Sequence, residues 1–383
     1  MCGIIGYVGK RQAQPILLDC LSKLEYRGYD SCGIAIVSDT VQVLKDAVRV
    51  ATLSREAPQL SGTMGIGHTR WATHGEPCQL NAHPHCDCQG NITIVHNGVI
   101  NNFHKLRQQL IDEGHNLVSE TDTEVIPHLT EKYYNGSLEQ AIEYALHDLE
   151  GSYAIIALTP DEPKLVAAKK DSPLIIGVGD RENFIASDVP AILDYTDRVI
   201  YLEDGDIGVV TADSIEIRQN GAEVERQEQK VLWDVHDARK AGYEHFMLKE
   251  IHEQPKVIRD TLGEWVSVTE PATGLAVMRD DSTQAMLILA CGTSYHAALI
   301  GKYLVEDLLK IPVRVEIASE FNYYSQTLAR TMAIVITQSG ETADILRAMK
   351  KLKAAGCKVL AITNVVGSTA ARTADHPIYT KAG

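Results

Sequence analysis

The sequence predicts two folded parts of different class: a layered α+β domain with antiparallel sheets, then an α/β domain with a doubly wound parallel sheet. Up to about residue 240, short β-rich runs separated by turn residues dominate, with a few helices between them. Beyond that point, short apolar strands alternate with helical segments, which is typical of parallel sheets. We therefore place the first domain at residues 2–225, a linker at 226–242 and the second domain at 243–383.

In the first domain, runs of β-forming residues bounded by turn residues predict the strands, and apolar residues at helical spacing predict the helices. The predicted strands are Ile4–Val8, Gly33–Val37, Ile92–Val95, Ser152–Leu158, Leu165–Ala168, Leu174–Gly177, Val199–Leu202, Ile207–Val210 and Ile215–Ile217. Helical spacing predicts helices over Pro15–Leu24 and Phe103–Ile111. A capping-box pattern at Thr121–Glu124 predicts that another helix begins there and runs to about Tyr133.

The second domain repeats one strand-loop-helix unit. Its first copy is the strand Ala285–Ala290, the loop Cys291–Ser294 and a helix to about Leu309, after which Pro312 precedes the strand Val313–Ile317. Its second copy is the strand Ala333–Thr337, the loop Gln338–Glu341, a helix to Ala355 and the strand Val359–Thr363. Loops that follow parallel strands lie at the edge of the sheet where such folds bind ligands.

Composition excludes several classes of function. The chain has 383 residues and a net charge of −15, which disfavours sequence-independent binding to nucleic acid. No apolar run approaches the length of a membrane span, and Lys10 and Arg11 interrupt the N-terminus before a signal-peptide core could form. The eight cysteines are scattered along a long chain, which indicates reduced thiols. We expect a cytoplasmic protein with neither nucleic-acid nor membrane partners.

Cys2 is the first candidate for chemistry, because removal of the initiator methionine would leave a thiol and a free α-amine on one residue. The ordinary pKa of such an amine is about 7.7–8.0 and that of a thiol about 8.5, so the amine can accept the thiol proton. The alternative is that Cys2 is only a small apolar residue at the start of a buried strand.

Four further residues, described next, complete the requirements for hydrolysing a carboxamide. Asn97 and the backbone N–H of Gly98 offer two donors for an oxyanion. Arg70 matches a substrate carboxylate and Asp122 matches an ammonium group. Each has a structural alternative when taken singly, since Asn-Gly is a common turn and an aspartate often stabilises a helix terminus.

Several motifs follow one another along the chain: Arg27–Ser31, His68–Gly75, Asn81–His85, His96–Gly98 and Ser119–Glu124, then Tyr243–Met247, Lys249–Pro255, Cys291–Ser294 and Gln338–Thr342. The first five, in this order, resemble the class II glutamine amidotransferase domain, which has the N-terminal nucleophile fold. With the later motifs, essentially the whole chain resembles the glutamine–fructose-6-phosphate aminotransferases. That family joins this glutaminase domain to sugar isomerase (SIS) domains.

The resemblance implies roles for individual residues. Cys2 would attack the side-chain amide of glutamine, while Asn97 and Gly98 would hold the oxyanion. Glutamine would be bound by Arg70, Trp71, Thr73, His74, His83, His96 and Asp122, with Trp71 as a gate to the ammonia passage. Arg27 would support the loop near the nucleophile. A salt bridge that orders this loop is an equally good interpretation of Arg27.

In the second domain, hydroxyls and backbone N–H groups at two helix starts would bind a sugar phosphate without a basic side chain. The candidates are Cys291, Gly292, Thr293, Ser294, Thr337, Gln338, Ser339 and Thr342. Helix capping without a ligand is the alternative for either loop. The resemblance implies L-glutamine and D-fructose 6-phosphate as substrates, D-glucosamine 6-phosphate as product, no cofactor or metal, and a homodimer of the intact enzyme.

The family has two SIS domains, so we expect this chain to be a fragment that ends inside the first one. Glutamine hydrolysis should then be retained and sugar isomerisation lost. Two other functions stay open from the residues: another class II glutamine amidotransferase, and a non-catalytic SIS sensor of sugar phosphates. His83, His85, Cys86 and Cys88 are potential soft metal ligands, but no second cluster at metal-binding spacing follows them, so we predict no metal.

Overall fold

The computed structural model describes residues 2–72, 74–231, 243, 246–263, 283–323 and 331–382. The chain divides into two units, residues 1–235 and 236–383. In the described part of the chain, no helix is both long enough and apolar enough to cross a membrane.

The first unit consists of antiparallel strands and short helices. The strands are β1 Gly3–Val8, β2 Ser31–Val37, β3 Val41–Asp46, β4 Met64–Arg70, β5 His85–Cys86, β6 Thr93–Ile100, β7 Gly151–Thr159, β8 Glu162–Lys170, β9 Ile175–Val178, β10 Asn183–Ala186, β11 Arg198–Tyr201, β12 Asp206–Val210, β13 Ile215–Gln219, β14 Ala222–Glu223 and β15 Glu228–Lys230. The helices are α1 Ala13–Leu24, α2 Val50–Glu56, α3 Phe103–Asp112, α4 Val125–Tyr133 and α5 Leu138–Asp148.

These strands form two sheets that pack face to face. One has the order β15-β11-β9-β10-β1-β4-β2-β3 and the other the order β14-β13-β12-β8-β7-β6-β5. Ile4 and Ile66 of the first sheet pack with Ile156 and Leu165 of the second in one fully buried cluster. Helix α1 covers the outer face of the first sheet, and α3, α4 and α5 cover the outer face of the second. The result is a four-layer αββα arrangement that places β1 in the interior of a sheet.

The second unit is a parallel sheet with helices on both faces. Its strands are β16 Ala285–Ala290, β17 Val313–Ile317, β18 Thr331–Ile336, β19 Val359–Thr363 and β20 His376–Tyr379, in the order β17-β16-β18-β19-β20. Its helices are α6 Phe246–Gly263, α7 Gly292–Leu309, α8 Ala318–Phe321, α9 Ala343–Ala354 and α10 Thr369–Thr373. The chain runs from β16 outward to β17 and then returns to β18 on the other side. The topological switch point therefore lies between β16 and β18.

The predicted fold classes are confirmed for both units, and three local predictions need correction. Strand β6 does not end at Val95 but continues to Ile100. No capping box forms at Thr121–Glu124: α4 begins at Val125, and the Glu124 carboxylate instead accepts the backbone N–H groups of Val118 and Ser119. The predicted linker, 226–242, contains β15, which pairs with β11 and so belongs to the first sheet. Residues 232–242 of that linker lie outside the described residues.

Candidate functional site

Cys2 lies at the start of β1, which is flanked by β4 and β10 in the first sheet. Gly3 pairs with Thr69, and this register brings Cys2 beside the end of β4. The Trp71 backbone N–H donates to the Cys2 Sγ over 3.2 Å. Burial raises the pKa of the Cys2 thiol, and the contact with Trp71 lowers it by less. The thiol therefore stays protonated at neutral pH unless a base lies next to it.

Asn97 and Gly98 reach the same place from the second sheet. The Asn97 Nδ2 donates to the Cys2 carbonyl oxygen over 2.9 Å. Gly98 has a φ of +142°, and a Cβ there would lie 2.0 Å from the Ser152 carbonyl oxygen of the neighbouring strand. The Asn97 Oδ1 is buried and has no hydrogen-bond partner among the described residues. Asn97 thus lies against Cys2, and both Asn97 and Gly98 belong to a continuous strand rather than to a turn.

Arg70 is buried at the end of β4 and is surrounded by backbone carbonyls. Its Nη2 donates to the carbonyls of His74 and Gly75, the latter over 3.2 Å, and its Nη1 lies 3.5 Å from the Glu76 carbonyl. The guanidinium therefore holds the loop that follows Trp71. Thr73, a predicted glutamine-binding residue in this loop, lies outside the described residues.

Asp122 lies in the segment before α4, and its side chain is nearly fully buried. Its Oδ2 accepts the Ile100 backbone N–H over 2.8 Å, which fixes the carboxylate beside the end of β6. Its Oδ1 lies 3.9 Å from the His74 Nδ1. The structure thus brings Asp122 and His74 together, with Arg70 bound to the His74 carbonyl.

The loop that contains Arg27 supports the strand end next to Cys2. A Cβ on Gly28 would lie 2.7 Å from the Trp71 nitrogen, so this loop packs directly on the Arg70–Trp71 peptide. Arg27 is buried and forms a salt bridge with Asp188, with 2.5 Å between Nη2 and Oδ2. Trp71 itself is 47% exposed, and its ring meets that of Tyr29 edge to face at 5.8 Å.

Four buried histidines form a layer beside these residues: His68, His83, His85 and His96. The rings of His68 and His83 stack at 3.9 Å, and the His96 Nδ1 lies 2.9 Å from the Thr123 Oγ1. Burial lowers the pKa of His68 to about 3, so its ring is neutral at physiological pH. The sequence predicted His83 and His96 as glutamine-binding, whereas it gave no sign that all four rings share one layer.

In the second unit, the two predicted sugar-phosphate loops lie on adjacent strands. Ala290 pairs with Ile336, so the loop Cys291–Ser294 is next to the residues that follow β18. There the Oγ1 atoms of Thr337 and Thr342 lie 3.0 Å apart. Gly340 has a φ of +68°, and a Cβ there would lie 2.0 Å from the Ser368 Oγ. Both loops thus begin helices at the switch point of the sheet.

The four soft side chains between His83 and Cys88 do not converge on one point. His83 and His85 belong to the buried histidine layer, and the Cys86 Sγ lies 3.4 Å from the Thr93 Oγ1. Cys88 instead lies in a separate cluster with His115, His128 and Glu131, which have ligand atoms of metal-binding type.

Two family models and several curated relatives match this chain. A family model for a glutamine amidotransferase domain matches residues 68–194, and a model for the SIS domain matches residues 282–383. The chain is 49% identical to a glutamine–fructose-6-phosphate aminotransferase (isomerizing) of Caldanaerobacter subterraneus subsp. tengcongensis and 50% identical to one of Methanothermobacter thermautotrophicus. Each alignment covers 100% of this chain and 65% of the relative.

Among solved structures, glutamine phosphoribosylpyrophosphate amidotransferase from B. subtilis aligns with a TM-score of 0.54 and 17% identity. The alignment covers 99% of this chain and 90% of that chain. At this level of identity the likeness concerns the fold alone.

Proposed function

We propose that this chain, a homologue of the glutamine–fructose-6-phosphate aminotransferases along its entire length, hydrolyses L-glutamine at Cys2. Models for their glutamine amidotransferase and SIS domains both match the chain. The observation that carries the proposal is the contact of Asn97 Nδ2 with the Cys2 carbonyl, at 2.9 Å, beside a buried thiol. It joins a nucleophile and an oxyanion donor from two different sheets.

The reaction begins when removal of Met1 frees the α-amine of Cys2. Because burial raises the pKa of the thiol, this amine is needed to accept its proton. The thiolate attacks the amide carbon of glutamine, and the resulting oxyanion accepts hydrogen bonds from the Asn97 Nδ2 and the Gly98 N–H. The α-ammonium group of Cys2 then returns the proton to the leaving nitrogen of glutamine, which departs as ammonia. Water hydrolyses the thioester and releases glutamate.

The ends of glutamine are bound by opposite charges. We assign the α-carboxylate to Arg70 and the α-ammonium to Asp122, with Thr73, His74 and Trp71 lining the pocket. Arg70 already donates to loop carbonyls through Nη1 and Nη2, so glutamine would share the five N–H donors of the guanidinium with this loop.

The buried side chains around the pocket act indirectly. His83 and His96, which were predicted to bind glutamine, support the pocket from the neutral histidine layer. Arg27 supports it through its salt bridge with Asp188.

The ammonia acceptor is D-fructose 6-phosphate, and the product is D-glucosamine 6-phosphate. The chain spans 65% of the length of the curated relatives, so this transfer is proposed for the intact enzyme, as a cytoplasmic homodimer. The phosphate group of the sugar is bound by hydroxyls and backbone N–H groups of Cys291–Ser294 and Thr337–Thr342. These two segments follow adjacent strands at the switch point of the sheet. The SIS domain disfavours other class II amidotransferases, and the glutamine site disfavours a non-catalytic sensor.

The experiment is covalent labelling with the glutamine analogue diazo-oxonorleucine, followed by intact mass and peptide mapping. We expect loss of Met1 and a single adduct at Cys2, prevented by excess glutamine. Cys78, also a half-buried cysteine, serves as the internal control and should stay unlabelled. Retention of Met1 without an adduct would refute the mechanism, as would labelling that glutamine does not suppress.

A further inference from the structure

A second cluster of reactive side chains lies outside the residues assigned to glutamine hydrolysis. It consists of Cys88, His115, His128 and Glu131, whose ligand atoms all lie within 4.8 Å of one another. Cys88 lies in the turn between β5 and β6, and His115 follows α3. His128 and Glu131 lie one turn apart on α4 and so share one face of that helix. Three separate segments therefore bring four donors to one place.

Four of the six distances between these donors are close to those of a tetrahedral site, and the other two are no longer than 4.8 Å. The Cys88 Sγ lies 3.5 Å from the His115 Nδ1 and 3.4 Å from the His128 Nδ1. The Glu131 Oε2 lies 3.0 Å from the His115 Nδ1 and 3.5 Å from the His128 Nδ1. In a tetrahedral zinc site with ordinary bond lengths, neighbouring ligand atoms are about 3.4–3.6 Å apart. Four of the six pairs of donors therefore already lie close to the spacing that a zinc ion requires.

We propose that this cluster is a structural zinc site, with Cys88 Sγ, His115 Nδ1, His128 Nδ1 and Glu131 Oε2 as its ligands. A thiolate, two imidazoles and a carboxylate are zinc donors, whereas magnesium and calcium require mainly oxygen. On binding, the Cys88 thiol releases its proton to solvent, and the thiolate and carboxylate together balance the two positive charges of the ion. Four protein ligands leave no open coordination position, which is typical of structural rather than catalytic zinc.

The alternative is a hydrogen-bonded cluster centred on Glu131. In that arrangement the carboxylate accepts from His115 and from the Cys88 backbone N–H, at 3.0 and 3.3 Å. The contacts of the Cys88 Sγ with the two imidazoles also lie within hydrogen-bond distance for sulfur, so retention of zinc is the observation that separates the two arrangements. Cys88 is exposed and gives an ion access from solvent.

The site has a structural consequence for the first unit. A bound ion would join three segments: the β5–β6 turn, the segment that follows α3, and α4 from its fourth to its seventh residue. The residues directly before α4 include Asp122, whose carboxylate binds the end of β6. Zinc would therefore stabilise the helix whose preceding segment carries Asp122.

The test uses the full chain, stripped with a chelator and then incubated with zinc ions alone. After dialysis against metal-free buffer, elemental analysis should find one zinc per chain in the wild type and in the control Cys86→Ser. Cys88→Ser and Glu131→Gln should lose at least nine tenths of this zinc, with circular dichroism reporting whether each variant is folded. Zinc should also raise the unfolding temperature of the wild type and leave that of Cys88→Ser unchanged.

Cobalt(II) provides a readout that needs no variant to fold. Coordination by Cys88 should give the wild type a sulfur-to-cobalt charge-transfer band, together with the visible absorption of a tetrahedral ion. A wild type that keeps no zinc and shows no such band would overturn the proposal. Equal retention of zinc by Cys88→Ser and the wild type would overturn it as well.

Discussion

Replacement of Asn97 by alanine tests the oxyanion assignment most directly. An asparagine amide carries two N–H donors, and one of those on Asn97 is engaged by the Cys2 carbonyl at 2.9 Å. The second N–H is then available to the oxyanion as the thiolate attacks glutamine. Asn97→Ala removes both donors at once.

The two losses differ in size and in the quantity that they change. Losing the buried hydrogen bond to Cys2 should lower the free energy of unfolding by about 1 kcal/mol. Losing an oxyanion donor should lower kcat for glutamine hydrolysis by about 10²–10³-fold, equivalent to about 2.7–4 kcal/mol. KM should change little, because the oxyanion exists only after attack.

The assay measures glutamate release from glutamine and, separately, the rate at which iodoacetamide alkylates Cys2. Alkylation creates no oxyanion, so Asn97→Ala should leave its rate close to that of the wild type. Asn91→Ala is the matched control, because Asn91 is exposed just before the same strand. If kcat is unchanged, Asn97 is not an oxyanion donor. If hydrolysis and alkylation fall in parallel, Asn97 acts by positioning Cys2.

Three further outcomes follow from the buried residues of the first unit. Gly98→Ala places a Cβ 2.0 Å from a carbonyl oxygen and should abolish hydrolysis and lower the unfolding temperature. In the control Gly90→Ala, a Cβ meets no atom within 4 Å and only the φ of +71° adds strain, so activity should be kept and the unfolding temperature should fall less; equal melting of the two variants would contradict this. Arg27→Ala leaves Asp188 without its buried partner and should lower the free energy of unfolding in urea by about 3 kcal/mol, so a loss below about 1 kcal/mol would count against a supporting role. The pKa of His68 is lowered to about 3 in the folded state, whereas in the unfolded chain the imidazole is protonated below about pH 6.5. The free energy of unfolding should therefore fall as the pH drops from about 6.5 to about 3, by up to about 1.4 kcal/mol per pH unit. His68→Gln should reduce the slope of unfolding free energy against pH by that amount, and an unchanged slope would mean that His68 is protonated in the folded protein.

Several strands with simple apolar patterns were predicted with the correct bounds, whereas strand β4, which contains two glycines, was missed. The predicted bounds of β16, β17 and β19 agree with the structure, because each is a short run rich in apolar residues next to a loop or helix end. Strand β4 was not predicted because Gly65 and Gly67 interrupt its apolar pattern. A Cβ at either position would lie 2.9 Å from Leu17 or Leu21 of α1, so these glycines allow the helix to approach the sheet closely.

The residue types of the candidate site suggested a chemistry, but its geometry could not be predicted. The types of Cys2, Asn97 and Asp122 are the basis of the roles proposed for them, whereas the contact between Asn97 and Cys2 joins two sheets and is not encoded in any local spacing. Strand β6 was predicted to end at Val95 because Asn-Gly commonly forms turns. Pairing with β7 instead continues through Gly98, whose backbone the neighbouring strand accommodates.

The Cys88 cluster escaped sequence analysis for a similar reason. Spacing rules for metal sites compare ligands that lie close along the chain, such as His85 and Cys86. The imidazoles next to Cys88 belong to residues 27 and 40 positions further along the chain. Only the packing of α3 and α4 on the second sheet brings them to the β5–β6 turn.

The position of β1 has a consequence for the order in which the proposed site is formed. One neighbour of β1, β4, ends at Arg70, but the other, β10, begins only at Asn183. At ordinary rates of translation, the ribosome needs about 10–35 s to synthesise the residues between β1 and β10. During that interval the first strand lacks one partner, and the nascent N-terminus is accessible to the aminopeptidase that removes methionine. The removal of Met1 that we propose can therefore be complete before the sheet closes around Cys2, so that the α-amine is freed first and the proposed site is assembled afterwards.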